Sequence, residues 1–153
     1  MNVSKKRKLL VAQLNESLSD LDRALDSLEY SHRKCIALGK KSEYDLDEQE
    51  SFEALTSRFA RTADILTQKT LKTLFAILQE DIKTRIDAAN FAEKIGIIKN
   101  ADTLLNIREL RNQIAHEYVR QNLNVLFVDV LHYVPELKMV VLNLKKYALR
   151  FSK

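Results

Sequence analysis

Leucines recur at three- and four-residue steps through the opening of the chain, at Leu10, Leu14, Leu18, Leu21, Leu25 and Leu28. That period keeps them on one face and predicts a long amphipathic helix from about Val3 to His32. Gly39 and the polar run from Lys40 to Asp45 interrupt it. Asp47, followed three residues later by Glu50, reads as a variant capping box that opens a second helix, carried to about Gln79 by the stripe Phe52, Leu55, Phe59, Leu66 and Leu74. A shorter pattern of Ile82, Ile86, Ala89 and Phe91 to Ile95 predicts a third helix that stops at Gly96, a natural left-handed end. Asn100 or Asp102 can cap a fourth, in which Leu104, Ile107, Leu110 and Ile114 keep helical spacing. After Asn122 and Asn124 the apolar stretch Val125 to Leu149 predicts a fifth helix, kinked or split by Pro135.

Composition agrees with this periodicity. Two glycines and one proline in 153 residues leave few helix breakers, and 46% apolar with 30% charged residues provide both a core and a solvated surface. With no repeat, low-complexity tract or proline-rich linker, the expectation is one all-α domain over residues 1–153, an up-and-down bundle of about five helices. The net charge of +4, from 25 basic and 21 acidic residues, is too mild to identify a nucleic-acid-coating protein. A lone cysteine, Cys35, excludes an internal disulfide and a cysteine-rich zinc site. The basic start Lys5 to Lys8 leads into a segment too short and too polar for a signal peptide or a span, which predicts a cytoplasmic protein with no membrane partner.

Chemistry is concentrated in the octapeptide Arg111-Asn112-Gln113-Ile114-Ala115-His116-Glu117-Tyr118. Arginine offers a permanent forked charge that matches a phosphate, and histidine both takes and gives a proton near neutrality. Residues five apart on an α-helix are rotated by about 140°, so Arg111 and His116 do not converge on one straight helix. Arg111 and Tyr118 share a face, as do Asn112 and His116. A working site therefore requires either a helix that unwinds before His116 or a second copy of the motif across a two-fold axis, the arrangement favoured here.

The pattern Arg111-Asn112-x3-His116-x-Tyr118 resembles the Arg-x4-His-x-Tyr signature of the HEPN superfamily, particularly its HepT-type toxins. The helical order is similar to that family. Val134-Pro135-Glu136-Leu137 resembles the Pro-x-Leu helix start that follows the motif, and Arg58-Phe59 with Lys69-Thr70-Leu71-Lys72 loosely resembles the family's second helix. The resemblance implies a small helical homodimer, the toxin of a type VII-like toxin–antitoxin system. It would act as a metal-independent endoribonuclease without a cofactor and pair with a minimal nucleotidyltransferase antitoxin. It further implies that Arg111 and His116 are the catalytic pair and that Tyr118 is adenylylated by the antitoxin, which silences cleavage by adding negative charge beside the site. In that scheme His116 works as general base or acid on RNA, Arg111 stabilises charge on the phosphorus oxygens, and Asn112 orients a phosphate or the histidine.

Other cations admit two readings. Arg58, Arg61 and Arg108 either line an RNA path or form a solvated helix edge, and the second role is commoner for such charges. The Lys5 to Lys8 cluster and Lys145, Lys146 and Arg150 either hold phosphates or belong to solvated helix ends. His32 and His132 lack spaced partners for a metal and are assigned no function. The competing expectation is a non-catalytic accessory subunit that presents substrate to a nucleotidyltransferase, because fold-level analogy alone does not establish activity.

Overall fold

The computed structural model describes residues 3–116 and 123–151, all helix, turn or short connection, with no strand among them. Helix α1 spans Val3–Leu38, longer than the leucine stripe alone predicts. The extra turns bury Cys35 and end at Gly39, where φ is +72°. Helix α2 covers Leu46–Asp64 and continues through a π-helical segment, Ile65–Thr70, into α3, Leu71–Ile77. The box that opens α2 is Asp45 with Glu48, each side chain bonded to the other's backbone N–H, and not Asp47 with Glu50. Tyr44, half-buried against Phe52 and Phe127, fixes the chain just before α2 and so sets the cap two residues earlier.

Helix α4 is Arg85–Lys94, α5 is Ala101–Ala115 and α6 is Leu123–Ala148, followed by one 3-10 turn, Leu149–Phe151. Thr84 caps α4, which leaves Ile82 outside the helix and Ile86 on its exposed side. Gly96 does end α4, with φ +84° and the Ile97 N–H reaching back to Ala92. The same closure ends α3 with Gln79 in the left-handed position, φ 57°, and the Glu80 N–H on Phe75. Of the two candidate caps for α5, Asn100 performs the role, accepting from the Asp102 N–H at 2.9 Å.

Every α-helix contributes to one apolar core. Leu14, Leu21 and Leu28 of α1, Phe52, Leu55 and Phe59 of α2, Leu104 and Ile107 of α5, and Val130 and Leu137 of α6 are all fully buried. Packing of α1 against α2, α3 and α6, and of α5 against α2, α4 and α6, closes the bundle. Among the described residues no helix is long and apolar enough to cross a membrane.

Pro135 does not split α6, which runs through it as one helix. A proline removes the N–H that would have bonded the carbonyl four residues earlier, here that of Leu131. The Leu131 backbone acts on His32 of α1, raising its pKa against the effect of burial.

Candidate functional site

The motif arginine is held from a distance in sequence of 47 residues. Arg111 donates Nε to Oδ1 of Asp64 at 2.7 Å and an Nη2 hydrogen to Oδ2 at 2.9 Å, a two-pronged charged pair. This contact raises the basicity of Arg111, against a smaller opposing effect of burial. Asp64 is the last α-helical residue before the π segment. There the ladder loosens to five-residue bonds, such as the Leu71 N–H on the Leu66 carbonyl. The threonines Thr62, Thr67 and Thr70 each return a hydroxyl to an upstream carbonyl along this stretch. Such back-bonding bends helices, and π turns frequently mark functional positions. The segment keeps Asp64, Gln68 and Lys69 together on the side that faces α5.

The pair forms a wall between two cavities. On one side lies an open cleft of about 740 Å³, whose lining includes Glu53, Ser57, Arg61, Lys69 and Ile114. On the other is a pocket of about 300 Å³, lined mostly by polar atoms of Thr67, Gln68, Arg85, Arg108 and Asn112. Both are shared by Asp64, Gln68 and Arg111.

Helix α5 ends at Ala115. His116 is its C-terminal cap, with φ −110° and ψ 14°, and is exposed. Its N–H turns back to the Gln113 carbonyl at 3.2 Å. The helix is regular through Ala115 and ends only at the histidine, which lines neither of the cavities beside Arg111. Tyr118 lies outside the described residues.

The remaining sequence candidates separate. Arg61 joins the large cleft, and Arg108 and Asn112 join the small pocket. Arg58 joins neither. It crosses to α1, donating to the Ser31 hydroxyl at 2.8 Å and the Ser27 carbonyl at 3.3 Å, and it lies over the Tyr30 ring. The basic C-terminal end is likewise engaged in packing. Lys145 pairs with Asp22 at 2.9 Å, and the Arg150 guanidinium sits 3.6 Å from the Tyr147 ring centre. Among the described residues no cluster of three or more acidic, histidine or cysteine side chains is arranged for a metal.

Two residues at the site escape sequence reasoning. Asp64 gives no local signal, because its partner is far along the chain. Arg85 does give one: a cation at the first position of a helix faces the positive end of the helix dipole, an unfavourable placement.

No protein-family model matches the chain, and neither a curated protein nor a solved structure is similar to it.

Proposed function

We propose that this chain is a metal-independent endoribonuclease of HEPN-like fold that works as a homodimer, the toxin of a HEPN–nucleotidyltransferase pair. The observation that carries the reading is Arg111, fixed by Asp64 at the boundary of two cavities; His116 caps the same helix five residues on and lines neither cavity of its own chain, which is why the reading needs a second copy. In this scheme the imidazole of one His116 removes the proton from a ribose 2′-hydroxyl. The freed oxygen attacks the adjacent phosphorus, and the 5′ oxygen of the next nucleotide leaves with a proton returned by a histidine. Arg111 meets the charge that builds on the non-bridging oxygens, and Asn112, in the smaller pocket, helps to orient the RNA beside it. The products carry a 2′,3′-cyclic phosphate and a 5′-hydroxyl. A second subunit supplies the second His116, so that base and acid are divided between the copies. Arg61, at the rim of the larger cleft, and Arg108, in the smaller pocket, offer further charge to the RNA chain.

Regulation in this reading passes through Tyr118. A nucleotidyltransferase antitoxin transfers AMP from ATP to its hydroxyl with loss of pyrophosphate, and the added charge repels RNA. Controlled expression in a bacterium tests the function. Growth arrest is expected, with relief by Arg111→Ala and by co-expressed antitoxin that increases the toxin mass by one or more AMP units. Harmless expression of the unaltered chain contradicts the toxin reading.

A further inference from the structure

The small pocket behind Arg111 holds more cations than the one carboxylate in its lining can balance. Three arginines, Arg85, Arg108 and Arg111, line it against one carboxylate, Asp64, which is already taken by both prongs of Arg111. Arg85, on α4, and Arg108, on α5, share this lining, and neither forms an ion pair among the described residues, although Glu80 and Asp81 line the adjoining cavity that both arginines also border. Arg108 is pulled below its ordinary basicity, first by burial and then by the charge of Arg85, with Asp64 acting weakly the other way. Its Nε is buried and has no hydrogen-bond partner. A buried charged donor left without an acceptor destabilises the folded state. Arg85 adds a second penalty from its position at the positive end of α4. Two placements that harm stability converge on one cavity with the amide donors Gln68 and Asn112 around it.

We propose that this pocket, formed by Arg85, Arg108 and Asn112, is a phosphate-binding site that seats a backbone phosphate of RNA next to the one at Arg111. A phosphate fits the donor set: it accepts on three or four oxygens, and its charge relieves the repulsion between the arginines. Two cavities on either side of one fixed arginine also suit a chain of repeating phosphates better than a single small anion. As a seat for RNA the pocket rests on the ribonuclease reading; as a phosphate site it does not. The site also orders the chain, because a strand held there and at Arg111 is fixed in direction along α5.

Binding of two probes tests it: a short RNA methylated at every 2′-oxygen, which the proposed chemistry cannot cut, and AMP. Arg85→Ala is the first variant, since that side chain is exposed, and Arg108→Met the second. Each is expected to weaken RNA binding about three- to tenfold and to lower the slope of log affinity against log salt by roughly 0.7. Both variants should melt no lower than the unaltered protein, a combination that a structural role for these arginines does not give. Loss with AMP as well as RNA supports the pocket; loss with AMP alone overturns RNA as its occupant. Unchanged affinity and salt slope in both variants, or no binding of either probe, overturns the proposal. Cleavage is read separately, so failure of the nuclease reading and failure of this one are distinct results.

Discussion

Two seams of the bundle each bury part of an arginine, and they treat it in opposite ways. Between α1 and α2, Arg58 meets a hydroxyl, a carbonyl and an aromatic ring, all within one turn of α1. Between α2, α4 and α5, Arg108 meets another arginine and leaves Nε without an acceptor. The first cation joins two helices through one bonded nitrogen. The second leaves a buried nitrogen without an acceptor. Arg111 stands between these extremes, fully paired yet about a third exposed, so that it is held in place and still accessible. Satisfaction of the donors, not the presence of charge, separates a cation that holds the fold from one prepared for a ligand.

The contrast is broken most severely at the motif. Replacing Arg111 or His116 by alanine is expected to lower RNA cleavage by about 10²–10⁴-fold, the range for loss of a positioned acid–base or charge-stabilising group. The exposed His116 variant should retain the native melting temperature. Next comes Asp64→Asn, which keeps shape but removes the charge that orients Arg111. A misplacement near 1 Å lowers turnover roughly a hundredfold, so a tenfold to hundredfold drop in kcat is expected, with partial recovery in Asp64→Glu. Because the pair is partly exposed, its effect on stability should be under about 1 kcal/mol. An Asp64→Asn protein with full activity would remove the positioning role.

Arg58→Ala sharpens the other half of the comparison. It removes a charged donor from the Ser31 hydroxyl, buried in the α1–α2 seam, and should reduce unfolding free energy by about 1–2 kcal/mol in denaturant titration. RNA affinity and its salt slope should not move. A fall in affinity without destabilisation would instead put Arg58 on the RNA path.

The smallest effect is expected at His32. Burial lowers its pKa below the ordinary value of about 6.5, outweighing the bond to Leu131 and the charge of Glu29 that act to raise it, while Arg33 and Lys138 also lower it. With the folded pKa below the unfolded one, the unfolded chain binds the proton more readily. The stabilising contribution is thus complete above about pH 6.5 and diminishes as pH falls through the folded value. His32→Gln keeps a donor for Leu131 and should flatten the stability profile below about pH 6.5. An unchanged profile removes His32 as its cause.

How much was legible follows from where each signal sits. The leucine and phenylalanine stripes are local and periodic, so the helices could be read directly: each residue of the α2 stripe is buried, as are all four of α5. Gly96 could be read because only a residue without Cβ adopts its conformation easily. Gln79 closes α3 in the same way without any such mark. The capping box was misplaced because Asp45–Glu48 and Asp47–Glu50 have the same spacing, and the choice depends on Tyr44 meeting Phe127 from α6. Pro135 suggests a kinked or split helix, yet α6 runs through it as one element. At the site, the rotation of about 140° between Arg111 and His116 follows from their spacing on a helix alone. The Asp64 clamp and the pocket shared by Arg85 and Arg108 were not legible, since both join segments distant along the chain.

RNA cleavage by purified protein in the presence of a metal chelator tests the central claim most directly, comparing the unaltered chain with His116→Ala. Fragments ending in 2′,3′-cyclic phosphate are expected from the unaltered chain, with at least about a hundredfold slower cleavage by the variant at an unchanged melting temperature. Equal cleavage by the two proteins would contradict it.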